Sequence, residues 1–509
     1  MLPLKRITTS LVLTTLLAGC GTLPEQIEHQ PQVTSTPSSS QLSLLSEAYA
    51  TNQATKTSAV TLQESGWQAL SQRLALIESA QRSIDIQYYI WNSDRSGKYL
   101  ASRVVAAANR GVRVRVMLDD INLNEREALL SALNAHPNIE IRVFNPIPTR
   151  RGVTKWLNVL GDFSRLNRRM HNKSFTVDGA VSIVGGRNIG DEYFDLANDI
   201  NFRDRDAMVM GTIVGDIETS FNQYWNSRWS YPVDLLNNEA IADLSLIDDI
   251  AVPHYTNYPA LPQGQSNALT FLGNIMASMD WVEASYIADQ PVPDDVSNTN
   301  QPKTTAQYLS ALAQQSKQKI VLESAYLIFD DQQLAAMQVL TRGGVEIKAL
   351  TNSMASNDLI TNHSGYAGRR EDMLEHGIKL YELKPNAEVC EISTKDANKC
   401  APAIGYGLHS KSAVFDDRVA TVGSFNFNLR STYLNTESLL VIEDLDVAQR
   451  LADNILQAMD QENSWRLELQ NGDVMWSSGS QIYDHEPETG RWQRFESYFL
   501  QLLPIEKYL

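Results

Sequence analysis

Two stretches of the chain carry hydrophobic and polar positions in the same order. In the first, the periodicity predicts a helix around Trp67 to Ala80 and a strand over Ser83 to Trp91. A helix over Lys98 to Asn109 then stops at Gly111, and strands follow over Val112 to Leu118 and Ile139 to Phe144. In the second, helices over Gln307 to Gln315 and Gln332 to Thr341 alternate with strands over Lys319 to Ser324, Val345 to Leu350 and Ile378 to Leu383. Each run closes on two strands about a tight turn: His171 to Val177 and Ala180 to Val184 around Asp178-Gly179, then His409 to Phe415 and Arg418 to Val422 around Asp416-Asp417. Strands separated by helices predict an α/β fold, a sheet with helices on both faces, present twice.

Between the runs, residues 231–303 carry Pro253, Pro259, Pro262, Pro291 and Pro293 and read as a linker with one helix near Asn267 to Ala288. The tail, 462–509, with Trp465, Trp476 and Trp492, reads as an extension packed on the second run. At the other end, Lys5 and Arg6 precede a mostly apolar run, Ile7 to Ala18, too short to span a bilayer and laid out like a secretory signal. Residues 30–60, rich in Ser, Thr and Gln, read as a flexible tether.

The duplicated hairpins carry duplicated chemistry. His171, Lys173, Asp178, Gly185, Gly186 and Asn188 recur as His409, Lys411, Asp416, Gly423, Ser424 and Asn426 with identical spacing. One imidazole, one ammonium and one amide from each copy supply a nucleophile, a proton carrier and donors for phosphoryl oxygens, a set suited to attack on a phosphodiester. Asp178 and Asp416 sit in turns, where a carboxylate either caps backbone or joins the chemistry. The paired small residues either let a phosphate approach the backbone or serve the hairpin.

Charge narrows the substrate. With 43 Lys and Arg against 60 Asp and Glu, the 509-residue chain has a net charge of −17, which opposes a broad basic footprint for nucleic acid but allows a local positive cleft. Val153 to Phe163, apolar at helical spacing and followed by Arg165, Arg168 and Arg169, reads either as a helix in the lipid interface or as ordinary core packing. Cys390 and Cys400 close a polar loop, and in an exported chain a disulfide is expected, stabilising by about 2–3 kcal/mol. No further cysteine or histidine lies nearby at metal-ligand spacing.

The two motifs resemble the paired HKD signatures of the phospholipase D superfamily. Gln87 to Trp91, Gly185 to Phe194 and the closing Leu503-Pro504-Ile505-Glu506 resemble its lipoprotein-like cardiolipin synthase C branch. The resemblance implies a duplicated α-β-α sandwich, two halves about a pseudo-twofold axis, both motifs in one cleft, and no metal or other cofactor. On that reading 1–19 is a lipoprotein signal peptide, 20–60 a tether, 61–230 and 304–461 the two phospholipase D-like domains, 231–303 a linker and insertion, and 462–509 a C-terminal extension. Leu17-Ala18-Gly19-Cys20 resembles a lipoprotein box, implying cleavage before Cys20 and lipidation there. The expected location is the bacterial cell envelope, facing the periplasm, with Gly21 favouring the outer membrane.

The resemblance further implies a covalent phosphatidyl-histidine. One imidazole attacks phosphorus and the other protonates the leaving oxygen. The near-symmetry leaves the roles open, and His171 is taken as the nucleophile and His409 as the acid and base. Lys173, Lys411, Asn188 and Asn426 would hold the nonbridging oxygens. A carboxylate must also fix each imidazole's far nitrogen. Glu437, eleven residues after Asn426, resembles the family acid of the second half; Asp199, at the same distance after Asn188, is the first-half candidate, with Glu192 as a second. The implied reaction is phosphatidyl transfer from phosphatidylglycerol to a second phospholipid, with phosphatidylethanolamine as an alternative acceptor. With water as the acceptor it is hydrolysis to phosphatidic acid, and a phosphodiesterase or nuclease activity is the remaining alternative. The expected partners are anionic phospholipids and a membrane surface, and no specific nucleic acid.

Overall fold

A computed structural model describes residues 23, 39–50, 56–121, 127–148, 163–236, 244–291, 301–501 and 506–508. The signal segment, Cys20 and Val153 to Asp162 lie outside the described residues. Ile139–Phe144, Arg113–Asp119, Ser83–Tyr88, Ser174–Val177, Val181–Gly185 and Asp206–Gly211 lie side by side in that order, the first three parallel and the rest antiparallel. Lys379–Leu383, Glu346–Asn352, Lys319–Ser324, Lys411–Phe415, Val419–Gly423 and Ser438–Glu443 repeat the order and the directions. Ser58–Gln63 and Asp280–Ala288 pair with each other and join the two copies, among the described residues, into one 18-stranded sheet. Its strand order outward from that pair is the same on both sides as far as Ile139–Phe144 and Lys379–Leu383. The chain is thus a duplicated α/β fold with its halves about a pseudo-twofold axis, the architecture the resemblance implies.

The helices form where the sequence supplies caps and an apolar face. Ser65 and Gln68 make a reciprocal capping box for Gly66–Ser79, and Asp330 and Gln333 do so for Asp331–Arg342. Leu70, Leu74 and Ile77 of the first helix are fully buried in one core. Val184, Ala207 and Val209 of the first half share another core with Val422, Leu440 and Ile442 of the second, so the halves are fused by packing as well as by sheet pairing.

Three segments differ from the sequence expectation. The tether was expected to run to residue 60, but Gln41–Ala50 is a helix with Leu42 buried, and Tyr49 donates its hydroxyl proton to the Gly273 carbonyl at 3.1 Å. Its leucines find a tertiary partner that composition cannot show. The single helix expected near Asn267 to Ala288 is a helix, Gln265–Met276, followed by the strand that bridges the halves, Asp280–Ala288. Ser464–Gln470 and Asp473–Ser478 of the C-terminal extension continue the second sheet by pairing outward from Lys379–Leu383.

Candidate active site

Each motif histidine stands just before the first strand of its hairpin, and each motif asparagine just after the second. The hairpins end at the boundary between the halves. The His171 amide donates to the Thr436 carbonyl at 2.9 Å and the His409 amide to that of Arg203 at 2.8 Å, so each histidine is pinned by the other half. His171 and His409 are each 6% exposed. Burial first, then the nearby ammonium groups, lowers His171 to about 4 and His409 to about 3. Lys411 acts on His171 and Lys173 on His409, which places the four groups in one electrostatic neighbourhood.

The carboxylates cross over. His171 Nδ1 lies 2.8 Å from Glu437 Oε2 and 3.0 Å from the Ser424 carbonyl oxygen. Both are acceptors, so Nδ1 carries the proton and Nε2 keeps a free lone pair. His409 Nδ1 lies 2.5 Å from Asp204 Oδ2. Burial alone would raise both carboxyls, but the histidine and lysine partners hold Glu437 and Asp204 below their ordinary values, ionised. Ser424 and Ser431 donate to Glu437 at 2.5 and 2.7 Å and fix its rotamer. At the position equivalent to Ser424 stands Gly186, where a Cβ would collide with Asp204 Oδ1. The close approach this glycine allows is that of a carboxylate.

These contacts correct the acids expected from spacing. Glu437 serves the histidine of the first half rather than its own. Asp199 is exposed, and its carboxylate accepts from the neighbouring Ile200 amide at 2.9 Å and meets no histidine among the described residues. Glu192 accepts from Asn92 Nδ2 at 2.8 Å and contacts no histidine; burial raises it to about 7. The acid missed is Asp204, sixteen residues after Asn188 because the first half carries a longer loop there. Counting back two residues from the strand Asp206–Gly211, as Glu437 stands two before Leu439, would have found it.

Lys173 and Lys411 are buried, each donating to its own motif histidine's carbonyl, at 2.7 Å for Lys173. Burial lowers them to about 7 and about 8 against the pull of Glu437 and Asp204. Asn188 accepts from the Ile90 amide at 3.3 Å and donates to the Tyr193 hydroxyl at 3.1 Å. Asn426 is buried with no partner for its Oδ1 among the described residues. Tyr89 meets the His171 ring edge-on at 4.9 Å, and Tyr193 the His409 ring at 5.0 Å, narrowing the approach to each.

Asp178 and Asp416 do not join them. Each sits at the far end of its hairpin strand, about 3.3 Å per residue away from its histidine. Asp178 accepts from the amides of Gln81, Arg82 and Ser83 at 3.1, 2.8 and 3.0 Å; Asp416 does the same for Lys317, Gln318 and Lys319. Both adopt left-handed backbone, which aspartate tolerates in turns. They cap the entry of a neighbouring strand, a structural role. The arginines before His171 are also structural: Arg165 bonds Asn145 at 2.5 Å, Arg169 bonds Asp119 at 3.1 Å, and Arg168 is buried. None of the three faces a lipid surface. Cys390 and Cys400 are joined in a disulfide.

Two crossed histidine–carboxylate pairs with two lysines, carried on a duplicated fold, define the chain as a member of the phospholipase D superfamily. It belongs to the family described as cardiolipin synthase, PLD-like domain, whose model matches residues 74–225 and 309–459, and it is an enzyme of phosphatidyl-transfer type. It is 35% identical over 454 residues to cardiolipin synthase C of Escherichia coli (strain K12), covering 87% of this chain and 94% of that one. An uncharacterized protein of Helicobacter pylori (strain J99 / ATCC 700824) is 32% identical over 466 residues, covering 88% and 89%. Among solved structures, phosphatidylserine synthase of Haemophilus influenzae Rd KW20 matches with a TM-score of 0.57 at 15% identity, covering 92% of this chain and 100% of that one, and so shares the fold.

Proposed function

We propose that the enzyme makes cardiolipin from phosphatidylglycerol and a second phospholipid through a phosphatidyl-histidine at His171. The observation that carries this reading is the pair of acceptors facing His171 Nδ1, which leaves Nε2 unprotonated toward the cleft. Nε2 attacks phosphorus and the bond to the leaving glycerol oxygen breaks. That oxygen takes a proton from His409, whose proton affinity rises when the anionic phosphodiester arrives beside it. His409 then accepts the proton of the incoming hydroxyl as its oxygen attacks phosphorus and releases His171. Lys173, Lys411 and Asn426 neutralise and bind the nonbridging oxygens.

A second phosphatidylglycerol supplies the hydroxyl. Where phosphatidylethanolamine is the second phospholipid it is the phosphatidyl donor, its ethanolamine oxygen leaving with the His409 proton while phosphatidylglycerol supplies the hydroxyl. With water the same steps yield phosphatidic acid. The 35% identity to a cardiolipin synthase over nearly the whole chain favours transfer. No helix among the described residues is long and apolar enough to cross a membrane. Membrane attachment is assigned to a lipid on Cys20, in the bacterial envelope facing the periplasm. Mass spectrometry of lipids after incubation with phosphatidylglycerol, with and without phosphatidylethanolamine, tests the reaction: cardiolipin and glycerol are expected, and phosphatidic acid alone would overturn transfer.

A further inference from the structure

The C-terminal helix, Arg491–Gln501, has its amphipathic faces reversed. At about 100° per residue, Trp492, Phe495, Tyr498 and Phe499 share one arc, and they are 73, 58, 62 and 55% exposed. Ser497, on the opposite side, is buried. A helix that only stabilises a globular fold turns its apolar stripe inward. This one rests on the protein through Ser497, with Arg494 and Leu500 half-buried beside it, and presents aromatic rings outward, with the Trp492 and Phe495 ring centroids 5.5 Å apart.

The helix that carries the stripe is tied to the surroundings of the catalytic residues. The helix packs on Ile360–Ala367, which follows Asp358. Asp358 accepts from the Tyr326 hydroxyl at 3.0 Å, and Tyr326 is within electrostatic reach of Tyr89 and Tyr193, the rings set against the two catalytic histidines. Past the helix, the Tyr508 carbonyl accepts from Arg430 Nη1 at 3.1 Å, and Arg430 belongs to the short helix that follows Asn426. The described parts of the C-terminal segment therefore contact elements that flank the catalytic residues, the helix through Ile360–Ala367 and Tyr508 through Arg430.

We propose that this aromatic stripe is the face by which the enzyme seats on the bilayer that holds its substrate, placing the cleft at headgroup level. The proposal rests on the phosphatidyl-transfer reading above. Trp and Tyr suit the boundary between headgroups and acyl chains, having an apolar body and a polar edge. Four aromatic side chains of about 150–250 Å² each, little more than half exposed, fall short of the ~800 Å² that a stable protein partner covers. With a net charge of −17 the chain is repelled by anionic lipid as a whole, so seating depends on inserting apolar groups, with Arg491 on the same arc available to anionic headgroups.

The test uses the full chain and vesicles of phosphatidylglycerol and phosphatidylethanolamine (1:3) carrying brominated acyl chains. Because a lipid on Cys20 would hold any variant at the vesicle, the readouts are fluorescence quenching and turnover rather than binding. Quenching by the brominated chains should include a component that disappears in Trp492→Phe. The triple variant Trp492→Ser, Phe495→Ser, Phe499→Ser should raise KM on vesicles by at least ~10-fold. Its turnover of dispersed short-chain phosphatidylglycerol should match the unaltered chain, which also shows that it folds. Equal vesicle KM, or no Trp492-dependent quenching, overturns the docking face. A chain dimer that dissociates in the triple variant, with Trp492 unquenched, overturns it in favour of a second copy. Lack of phosphatidyl transfer on either substrate, with Trp492 still quenched, overturns the transfer reading and leaves the docking face standing.

Discussion

Glu437, in the second half of the chain, accepts the Nδ1 proton of His171 in the first at 2.8 Å. Asp204 in the first half takes the reciprocal position on His409 at 2.5 Å. Neither half therefore holds a complete histidine–carboxylate pair. The duplicated sequence specifies two incomplete sites that become complete only when the halves pack about their axis.

Removing either carboxylate should disable the imidazole it orients. Glu437→Gln and Asp204→Asn are each expected to lower kcat at least ~100-fold. Asp199→Asn and Glu192→Gln, which touch no histidine, should stay within about twofold. Steady-state kinetics on all four variants, with thermal unfolding as a control, checks the crossed assignment. Full activity of Asp204→Asn would remove it.

Asp178 and Asp416 give the opposite pattern. Each satisfies three amides at a strand entry, and a hydrogen bond to a charged group contributes about 1.5–3 kcal/mol, less at Asp416, where the Lys317 and Gln318 amides are exposed. Asp178→Ala and Asp416→Ala should lower the unfolding temperature while the surviving folded enzyme keeps near-normal kcat. Because its amide partners hold the Asp416 carboxyl below its ordinary value after burial is opposed, its contribution is present above the unfolded pKa. That contribution is lost as pH falls through the folded one. A loss of kcat without a loss of stability would return these residues to the chemistry.

The hairpins, the motif pairs and the repeated fold were legible because period-two alternation and local turns are written in adjacent residues. Asp204 was not, since an extra stretch holding Asp191–Tyr193 and Ile200–Arg203 moves it away from the distance that Glu437 keeps from Asn426. The crossing was equally hidden, because spacing along one half says nothing about which histidine the acid meets. Asp280–Ala288 read as helix because its sheet partners, Ser58–Val60 and Ser438–Glu443, are remote in sequence and decide its conformation. For Arg165, Arg168 and Arg169 the sequence left a lipid-facing and a packed reading open, because nothing local shows Asn145 pairing with Arg165 or Asp119 with Arg169.

The pH dependence follows from the site's dryness. Burial lowers His171 to about 4, so the free enzyme keeps its nucleophile unprotonated well below pH 6.5. Burial also lowers Lys173 to about 7 and Lys411 to about 8, so kcat/KM should fall as pH rises through 7–8 and the ammonium charges are lost. Bound phosphodiester holds those charges, so the kcat limb should lie at higher pH. Glu437→Gln removes the carboxylate that supports the Lys173 charge and should move the alkaline limb of any residual activity to lower pH. Stability runs the other way for the histidines. Their folded pKa values lie below the unfolded ~6.5, so the unfolded chain binds protons first and stability declines as pH falls from 6.5 toward 4. A pH–rate profile alongside pH-dependent denaturation separates the two effects. A kcat/KM flat from pH 6 to 9 would contradict the lysine assignment.

The division of labour between His171 and His409 has its own test. A covalent intermediate requires one imidazole as nucleophile and another as proton carrier, so His171→Ala and His409→Ala should each lower turnover by at least ~1,000-fold. The double variant should be little worse than either, since the two act as a unit. They differ in what accumulates. With a phosphatidyl substrate bearing a good leaving group such as p-nitrophenolate, His409→Ala needs no acid for the first step and should trap labelled phosphatidyl group on His171. His171→Ala lacks the attacking nitrogen and should trap none. Peptide mapping of acid-labile phosphohistidine locates the label. Its appearance on His409 in the His171→Ala chain would exchange the two roles while leaving the crossed carboxylates in place, because each would still orient the imidazole it touches.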